Sequence, residues 1–549
     1  MPERKTTAIR DTLQTIIMLQ TIMTMDQHRI TFQQNRTITA TSGTCLHHAA
    51  KQAGYALRSD CGGAGTCGKC QVVIQQQKIL ACQTSVQCDL DVYIPAASML
   101  PTAKEPEEKQ YPNILNTTNE NPSTNTDSTA KTHCQFGIAL DIGTTTLVAE
   151  LHDMTGTLPH HTAVRMNPQR AFGDDVISRI QKIREDKSAL TALQRLIVNT
   201  IHEMIAELSQ KMSIEIHNET HNIDAVVVAG NTVMQSILFG IDPSPLGVSP
   251  FKPGADTFPV CQAMDVGLNL SGTIECLPIF GGFVGGDVVA GVLVLTGLHA
   301  SDEPKMFLDI GTNGEMVLAH QGKFYTAATA AGPALEGAKI EYGMPALPGA
   351  IAHVDADGGR IKVSTIDGKP PIGICGTGLI DAAAVLLEQK ILLPNGRFAD
   401  KKNYFELVPK AESGIGESIL LTQRDVRELQ LAVGAIRSGM TLLLREHHFA
   451  LEDIASYYIS GGFGQSLRLA SAQRIGLLPS LPALKGKTER FQLCGNTSLA
   501  GARAVLFNPA LKATAHRLVQ NSQHYDLAII PAFTKVFADS LGFEQTPTR

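Results

Sequence analysis

One turn occurs twice in this chain. ALDIGTTTLVAEL at 139–151 and FLDIGTNGEMVL at 307–318 each place an apolar run, the turn Asp-Ile-Gly-Thr and a second apolar run in the same order. A single D-x-G marks an ordinary β-turn, but two such hairpins about 170 residues apart point to two related halves, each opening on the same hairpin. The surrounding pattern is α/β. FGIALDIG, AVVVAGN, KMFLDIG and YYISGGFG each run as an apolar strand into a Gly-rich turn. Helical stretches lie between them, the clearest being Ser188 to Lys211, with Leu190, Leu193, Leu196, Ile197, Ile201, Met204, Ile205 and Leu208 on one face. Strand, turn and helix in alternation argue for covered, mostly central sheets.

Such a turn suits a phosphate. Gly143 allows close backbone approach, Thr144, Thr145 and Thr146 can donate from amides and hydroxyls, and Asp141 at the strand end can hold hydrated Mg²⁺. Asp309, Gly311, Thr312, Asn313 and Gly314 repeat the arrangement. Two hairpins facing one another would clamp the β- and γ-phosphates of ATP through a metal. No G-x-x-x-x-G-K-[ST] occurs, so this is not a P-loop protein. In SGGFG at 460–464, Gly461, Gly462 and Gly464 would let backbone pass close to a ribose and α-phosphate, although a tight strand-to-helix turn explains them equally well. GGFVGGDVVAG at 281–291 and GNTSLAGARAVL at 495–506 read as small-residue helix starts, suited to two helices crossing closely at a hinge.

The N-terminal region follows another logic. From about Arg29 to Pro95 short apolar runs alternate with Gly-rich turns, the mark of a compact β-rich unit. Within it Cys61, Cys67 and Cys70 sit in CGGAGTCGKC, and Cys82 follows after an 11-residue spacer. Three thiols in a glycine-rich loop call for a bound group, and glycines let amides point at the sulfurs of a cluster. The spacing is C-x5-C-x2-C, one residue longer than the plant-type C-x4-C-x2-C, yet it matches a [2Fe-2S] ferredoxin loop in its logic. Structural zinc sites usually show two separated C-x2-C knuckles, and only one is present. Cys45 and Cys88 could each substitute as a ligand, yet each reads more simply as a small buried hydrophobe.

Ala96 to His133 contains NTTNENPSTNTDST and almost nothing apolar, which reads as a disordered linker. As a flexible coil of about 38 residues it would span roughly 35 Å and leave the cysteine unit tethered and mobile. A formal charge of -6 gives no field attractive to nucleic acid. No run of about 20 apolar residues suggests a membrane span. Eleven cysteines in 549 residues do not form a secreted disulfide framework, so a reducing cytoplasm fits better.

The motif order of phosphate hairpin, small-residue helix, second hairpin, GGFG turn and second small-residue helix resembles the superfamily of acetate and sugar kinases, chaperone ATPases and actin. Within it, ACQTSVQCDLDVYIP, NPQRAFGDDVISRI, AGNTVMQSILFGIDPSPLG, DIGTNGE, TAAGPALEGAKI, GICGTGLIDA and SGGFGQSLRLASAQRIGLLP resemble the reductive activators of corrinoid proteins, over about residues 29–510. The resemblance implies a multidomain chain: an N-terminal extension (1–28), a small β-grasp-like α+β [2Fe-2S] ferredoxin domain (29–95), the flexible linker (96–133), and duplicated α/β ribonuclease-H-like, actin-like ATPase subdomains at 134–225 and 226–549, the latter with the nucleotide cleft.

It further implies ATP-dependent reduction of cob(II)alamin on a partner corrinoid protein to cob(I)alamin, with electrons from an external low-potential donor. A homodimer is compatible with it. Asp141 and Asp309 would then serve Mg²⁺ and water positioning, the hairpin residues the phosphates, the SGGFG glycines the nucleoside side, and Cys61, Cys67, Cys70 and Cys82 the cluster. Glu336 reads as a polar contact in the cleft or as a helix N-terminal charge, and Asp425 and Arg437 as surface or nucleotide-proximal charges.

Four other readings stand beside this one. A small-molecule kinase would have no use for a ferredoxin unit, and activators of radical dehydratases carry a cluster shared across a dimer rather than a four-cysteine domain. ATP-driven supply of electrons to another low-potential metalloenzyme, and a non-catalytic redox sensor with a nucleotide switch, both remain open on sequence.

Overall fold

The computed structural model describes residues 26–33, 36–55, 57, 65, 68–95, 98–99, 136–156, 158–173, 175–212, 223–299, 302–462, 466–481 and 490–543. Cys61, Cys67 and Gly464, the extension to residue 25, and the linker apart from Ser98 and Met99 lie outside them. The chain divides into two compact units at Pro101.

The smaller unit contains β1 (Gln27–Phe32), β2 (Arg36–Thr41), α1 (Leu46–Gln52), β3 (Gln71–Ile74), β4 (Gln77–Leu80) and β5 (Leu90–Val92). β1 pairs antiparallel with β2 and parallel with β5. β3 and β4 form a hairpin joined to the chain after β5 through reciprocal bonds between Val73 and Tyr93. Ile30 and Phe32, alternate residues of β1, turn inward onto Leu46, Ala49 and Ala50 of α1 and onto Val72, Val86 and Ile94. A mixed sheet crossed by one helix is the β-grasp arrangement expected.

In the larger unit, the first half contains β6 (Phe136–Ile142), β7 (Thr146–Asp153), β8 (His161–Met166), α2 (Val176–Glu185), α3 (Ser188–Lys211), β9 (Ile223–Gly230), α4 (Thr232–Leu238), β10 (Cys261–Gln262), β11 (Thr273–Cys276) and α5 (Gly286–Val294). The second contains β12 (Lys305–Ile310), β13 (Gly314–His320), β14 (Lys323–Thr329), β15 (Ala350–Asp357), β16 (Arg360–Thr365), β17 (Gly373–Ile374), α6 (Gly376–Glu388), β18 (Tyr404–Val408), β19 (Ile419–Thr422), α7 (Gln423–Glu446), β20 (Ser456–Ser460), α8 (Leu469–Arg474), β21 (Phe491–Gly495), α9 (Thr497–Phe507), α10 (Leu511–Gln520), β22 (Ser522–Tyr525) and α11 (Phe533–Asp539).

Two six-stranded sheets run in the orders β10-β11-β9-β6-β7-β8 and β21-β20-β12-β13-β14-β22. Their shared part corresponds strand for strand. β11, β9 and β6 are parallel and β7 and β8 antiparallel, as β21, β20 and β12 are parallel and β13 and β14 antiparallel. The duplication read from the repeated turn is therefore a duplication of a whole ribonuclease-H-like sheet. The seam differs from the one placed at residue 225. β9 lies against β6 and β11 against β9, so backbone pairing carries the first half on to Cys276 at least.

The helix expected over Ser188–Lys211 forms as α3, and Leu193, Ile197, Ile201, Met204 and Leu208 bury its stripe against the first sheet. Between the sheets lie α5 and α9, whose Val288, Val292, Leu293 and Val505 join Ala139, Val227, Phe307 and Val317 in one core. The two helices cross at Gly501, where a β-carbon would lie 2.4 Å from that of Ala290. Both sheets thus rest on one pair of closely crossed helices, and small residues make the crossing possible. Among the described residues no helix is long and apolar enough to cross a membrane.

Candidate nucleotide cleft and cluster site

The β6–β7 turn is held from behind. Gly143 N donates to Thr146 O at 3.0 Å, Asn167 N donates to Thr145 O at 2.8 Å, and Asn167 Nδ2 donates to Gly143 O at 2.9 Å. Thr144 is buried: its carbonyl accepts from Arg179 Nη2 at 2.6 Å and its hydroxyl accepts from Asn231 Nδ2 at 2.9 Å. Arg179 on α2 is fully buried and also reaches Gly173 O and Gln169. A guanidinium out of water must have its donors met; here it meets the backbone of the turn. Of the threonines, Thr145 is the one that reaches the other half of the unit. Its hydroxyl lies 3.3 Å from that of Thr312 in the β12–β13 turn, and both hydroxyls donate to Glu336. The two hairpins anticipated from sequence do face one another.

The aspartates ending β6 and β12 share the first turn of α9. Asp141 accepts from Asn496 Nδ2 and Ser498 Oγ, each at 2.8 Å. Ser460, at the end of β20 beside Asp309, has its hydroxyl 2.7 Å from that of Thr497. Asp287, in the first turn of α5, and Glu315, directly across from Asp309 in the hairpin register, complete a group of four carboxylates. Burial raises the pKa of each. For Asp309 burial, with the Asp141 charge second, lifts it to about 7 against a pull downward from Ser460. Asp287 and Glu315 are raised well above the ordinary range, first by burial, then by the Asp309 and Asp141 charges for Asp287 and by the Asp287 and Asp309 charges for Glu315. Asp141 is raised less, because Asn496 and Ser498 offset the loss of water.

Carboxylates crowded this way call for a cation. Among the described residues no three His, Cys, Asp or Glu side chains stand close enough to hold a bare ion.

The SGGFG glycines divide. Gly461, at φ 108°, lies against the second hairpin, where a β-carbon would sit 2.2 Å from Ile310 O and 3.0 Å from Asp309 Oδ1. It lets β20 close on β12. Gly462 has open space beside it. Asp425 is not a surface charge: it is buried, caps α7 through Thr422 and accepts from Glu341 N. Arg437 donates to Ser540 O and Gly542 O.

In the small unit the β3–β4 hairpin brings two of the four predicted ligands together. Gln71 pairs with Leu80 and Ala81 N donates to Cys70 O at 2.9 Å, so Cys70 and Cys82 flank the open end of one hairpin. Cys45 Sγ lies 3.5 Å from Ala81 O and 3.7 Å from Cys82 O. Cys88 is exposed rather than buried, because it lies in the irregular segment before β5.

Comparison with known proteins finds three matching domains. The 2Fe-2S iron-sulfur cluster binding domain matches residues 30–87, the RACo middle region 136–301 and the C-terminal domain of RACo, the ASKHA domain, 303–549. The corrinoid activation enzyme RamQ of Eubacterium limosum is 34% identical over 422 residues, 73% of this chain and 69% of that protein. The [Co(II) methylated amine-specific corrinoid protein] reductase of Methanosarcina barkeri is 28% identical over 404 residues, 68% of this chain and 70% of that protein. Among solved structures, a reductive activator for corrinoid, iron-sulfur protein is 30% identical with a TM-score of 0.68, covering 94% of this chain and 98% of that one. The chain belongs to the corrinoid-activator family.

In this activator the described part of the cysteine loop fits a cluster. Gly65 and Gly68 take φ of 76° and 68°, left-handed turns that glycine favours, and Cys70 and Cys82 flank the open end of the β3–β4 hairpin. Sequence reasoning missed Arg179, Asp287 and Glu315. Glu315 alone had a signal: in a tight hairpin whose turn follows Asp309, register places it opposite that aspartate.

Proposed function

We propose that this activator passes one electron from a [2Fe-2S] cluster to cob(II)alamin carried by a corrinoid protein, forming cob(I)alamin, and that it uses ATP to do so. The observation that carries this is one chain with a cysteine hairpin in one unit and paired phosphate hairpins in the other, similar along nearly its whole length to reductive activators. Cys61, Cys67, Cys70 and Cys82 would hold the cluster, which when bound supplies a one-electron carrier near about -400 mV. An external low-potential donor would refill it. Each 59 mV of uphill transfer costs about 1.4 kcal/mol, within the range that differential binding of two states of a partner provides.

In the cleft, Thr145 and Thr312 would donate to the triphosphate, while Asp141 and Asp309 would hold hydrated magnesium, which when bound neutralises charge on the phosphates. Asp287, raised well above the ordinary carboxylate range by burial and by the Asp309 charge, would orient the attacking water. α5 and α9 carry residues of this site at their first turns and cross between the sheets, so closure around nucleotide would be felt in both halves.

The test is ATP hydrolysis with and without a cob(II)alamin-loaded corrinoid protein. Stimulation by that protein is expected, and none would refute the activator reading. Cys70→Ser should abolish the visible cluster absorbance and leave Mg-ATP binding unchanged; loss of both would break the division of labour between units.

A further inference from the structure

Two hydroxyls, one from each hairpin, donate to a single atom. Glu336 Oε2 accepts from Thr145 Oγ1 at 2.6 Å and from Thr312 Oγ1 at 2.5 Å. Each hydroxyl has one hydrogen to give, so while the carboxylate stands there neither threonine is free for another acceptor. The other oxygen is close by: a β-carbon on Gly311 would lie 3.6 Å from Glu336 Oε1. Both oxygens therefore sit between the two turns, in the space where the hairpins would receive a phosphate. An anionic oxygen drawing two converging O–H donors presents the charge and the hydrogen-bonding pattern of a phosphate oxygen. A phosphate brought to the same donors would meet a like charge at hydrogen-bond distance.

We propose that Glu336 is a latch that occupies the phosphate donors of both hairpins when the cleft is empty, and that the triphosphate of ATP must displace it to bind. This rests on the nucleotide reading of the cleft. The local fold confines the motion to the side chain. Glu336 ends a short 3-10 turn, Pro333–Glu336, whose Pro333, Ala334 and Leu335 are buried and anchor the backbone, while Glu336 itself is half-buried. Beyond it, Glu341 N is fixed by Asp425, the partner of Thr422 in the capping box of α7. Because the latch joins Thr145 of one half to Thr312 of the other, it also holds the empty cleft together. Occupancy by Glu336 lowers the share of molecules ready for nucleotide, and apparent affinity falls by that share.

The experiment measures binding of a non-hydrolysable Mg-ATP analogue and of adenosine to the full chain, to Glu336→Ala and to Glu336→Gln, with thermal unfolding to verify folding. The alanine variant should bind the triphosphate about tenfold more tightly. The glutamine variant, isosteric and uncharged, should tighten it by less, and adenosine should bind all three alike. Unchanged or weaker triphosphate binding in both variants would overturn the latch. So would a fall in hydrolysis rate at unchanged affinity, which would make Glu336 a reacting group. Failure of the wild-type chain to bind the Mg-ATP analogue would instead remove the nucleotide reading itself, and the latch with it.

Discussion

The two hairpins are near copies in sequence and differ in how far their aspartates are compensated. In the first, Asp141 stands across from Val148 and is met by Asn496 and Ser498. In the second, Asp309 stands across from Glu315, burial and the Asp141 charge lift it to about 7, and Ser460 is the hydrogen-bond partner that offsets the rise. Like charges directly opposite in a hairpin destabilise it. The same turn can thus be compensated by protein donors to different degrees, and the neighbours, not the turn, decide how far. The first hairpin is built to position; the second stores the charge that Mg-ATP would relieve.

The largest expected effect is at the second hairpin. Asp309→Asn should cut Mg-ATP-dependent corrinoid reduction by about 10²-fold or more, a magnitude typical of losing a preorganised electrostatic group. Direct reduction of the cluster should be untouched. Asp141→Asn should cost about tenfold, because protein donors already compensate that carboxylate. Equal losses would erase the contrast.

A smaller effect is expected in pH dependence. Asp309 keeps its proton to about pH 7 when folded but only to about pH 4 when unfolded. Between those values the folded chain binds the extra proton, so nucleotide-free stability should fall as pH rises from about 4 to about 7. Thermal unfolding across that range should show the fall, and Asp309→Asn should flatten it; Asp287 and Glu315 contribute with the same sign. The smallest effect is at Ser498→Ala, which removes one of two bonds to Asp141. About 1 kcal/mol, or roughly fivefold weaker Mg-nucleotide binding by titration, is expected.

What could be read in advance was what local chemistry writes. The hairpins follow from Asp-x-Gly-Thr between apolar strands, α3 from a 3.6-residue stripe, and the cysteine hairpin from ligand spacing. What tertiary contact decides was not legible. Asp287 joins the cleft only because α5 runs between the sheets, and Arg179 braces the first turn from a different helix. The seam near residue 225 was misplaced because β9 is a central strand paired with β6, and periodicity does not say which strands pair. Asp425, read as a surface or nucleotide-proximal charge, is buried in the capping box of α7, since Glu341 arrives from a distant loop.

The central claim is that charge gathered at the second hairpin belongs to Mg-ATP and drives reduction of the corrinoid. Its most direct test is a rapid-mixing measurement of cob(I)alamin absorbance, with the activator's cluster already reduced and a cob(II)alamin-loaded partner added with or without Mg-ATP. The account predicts cob(I)alamin only with Mg-ATP and only while Asp309 is intact. Equal formation without nucleotide, or in Asp309→Asn, would contradict it.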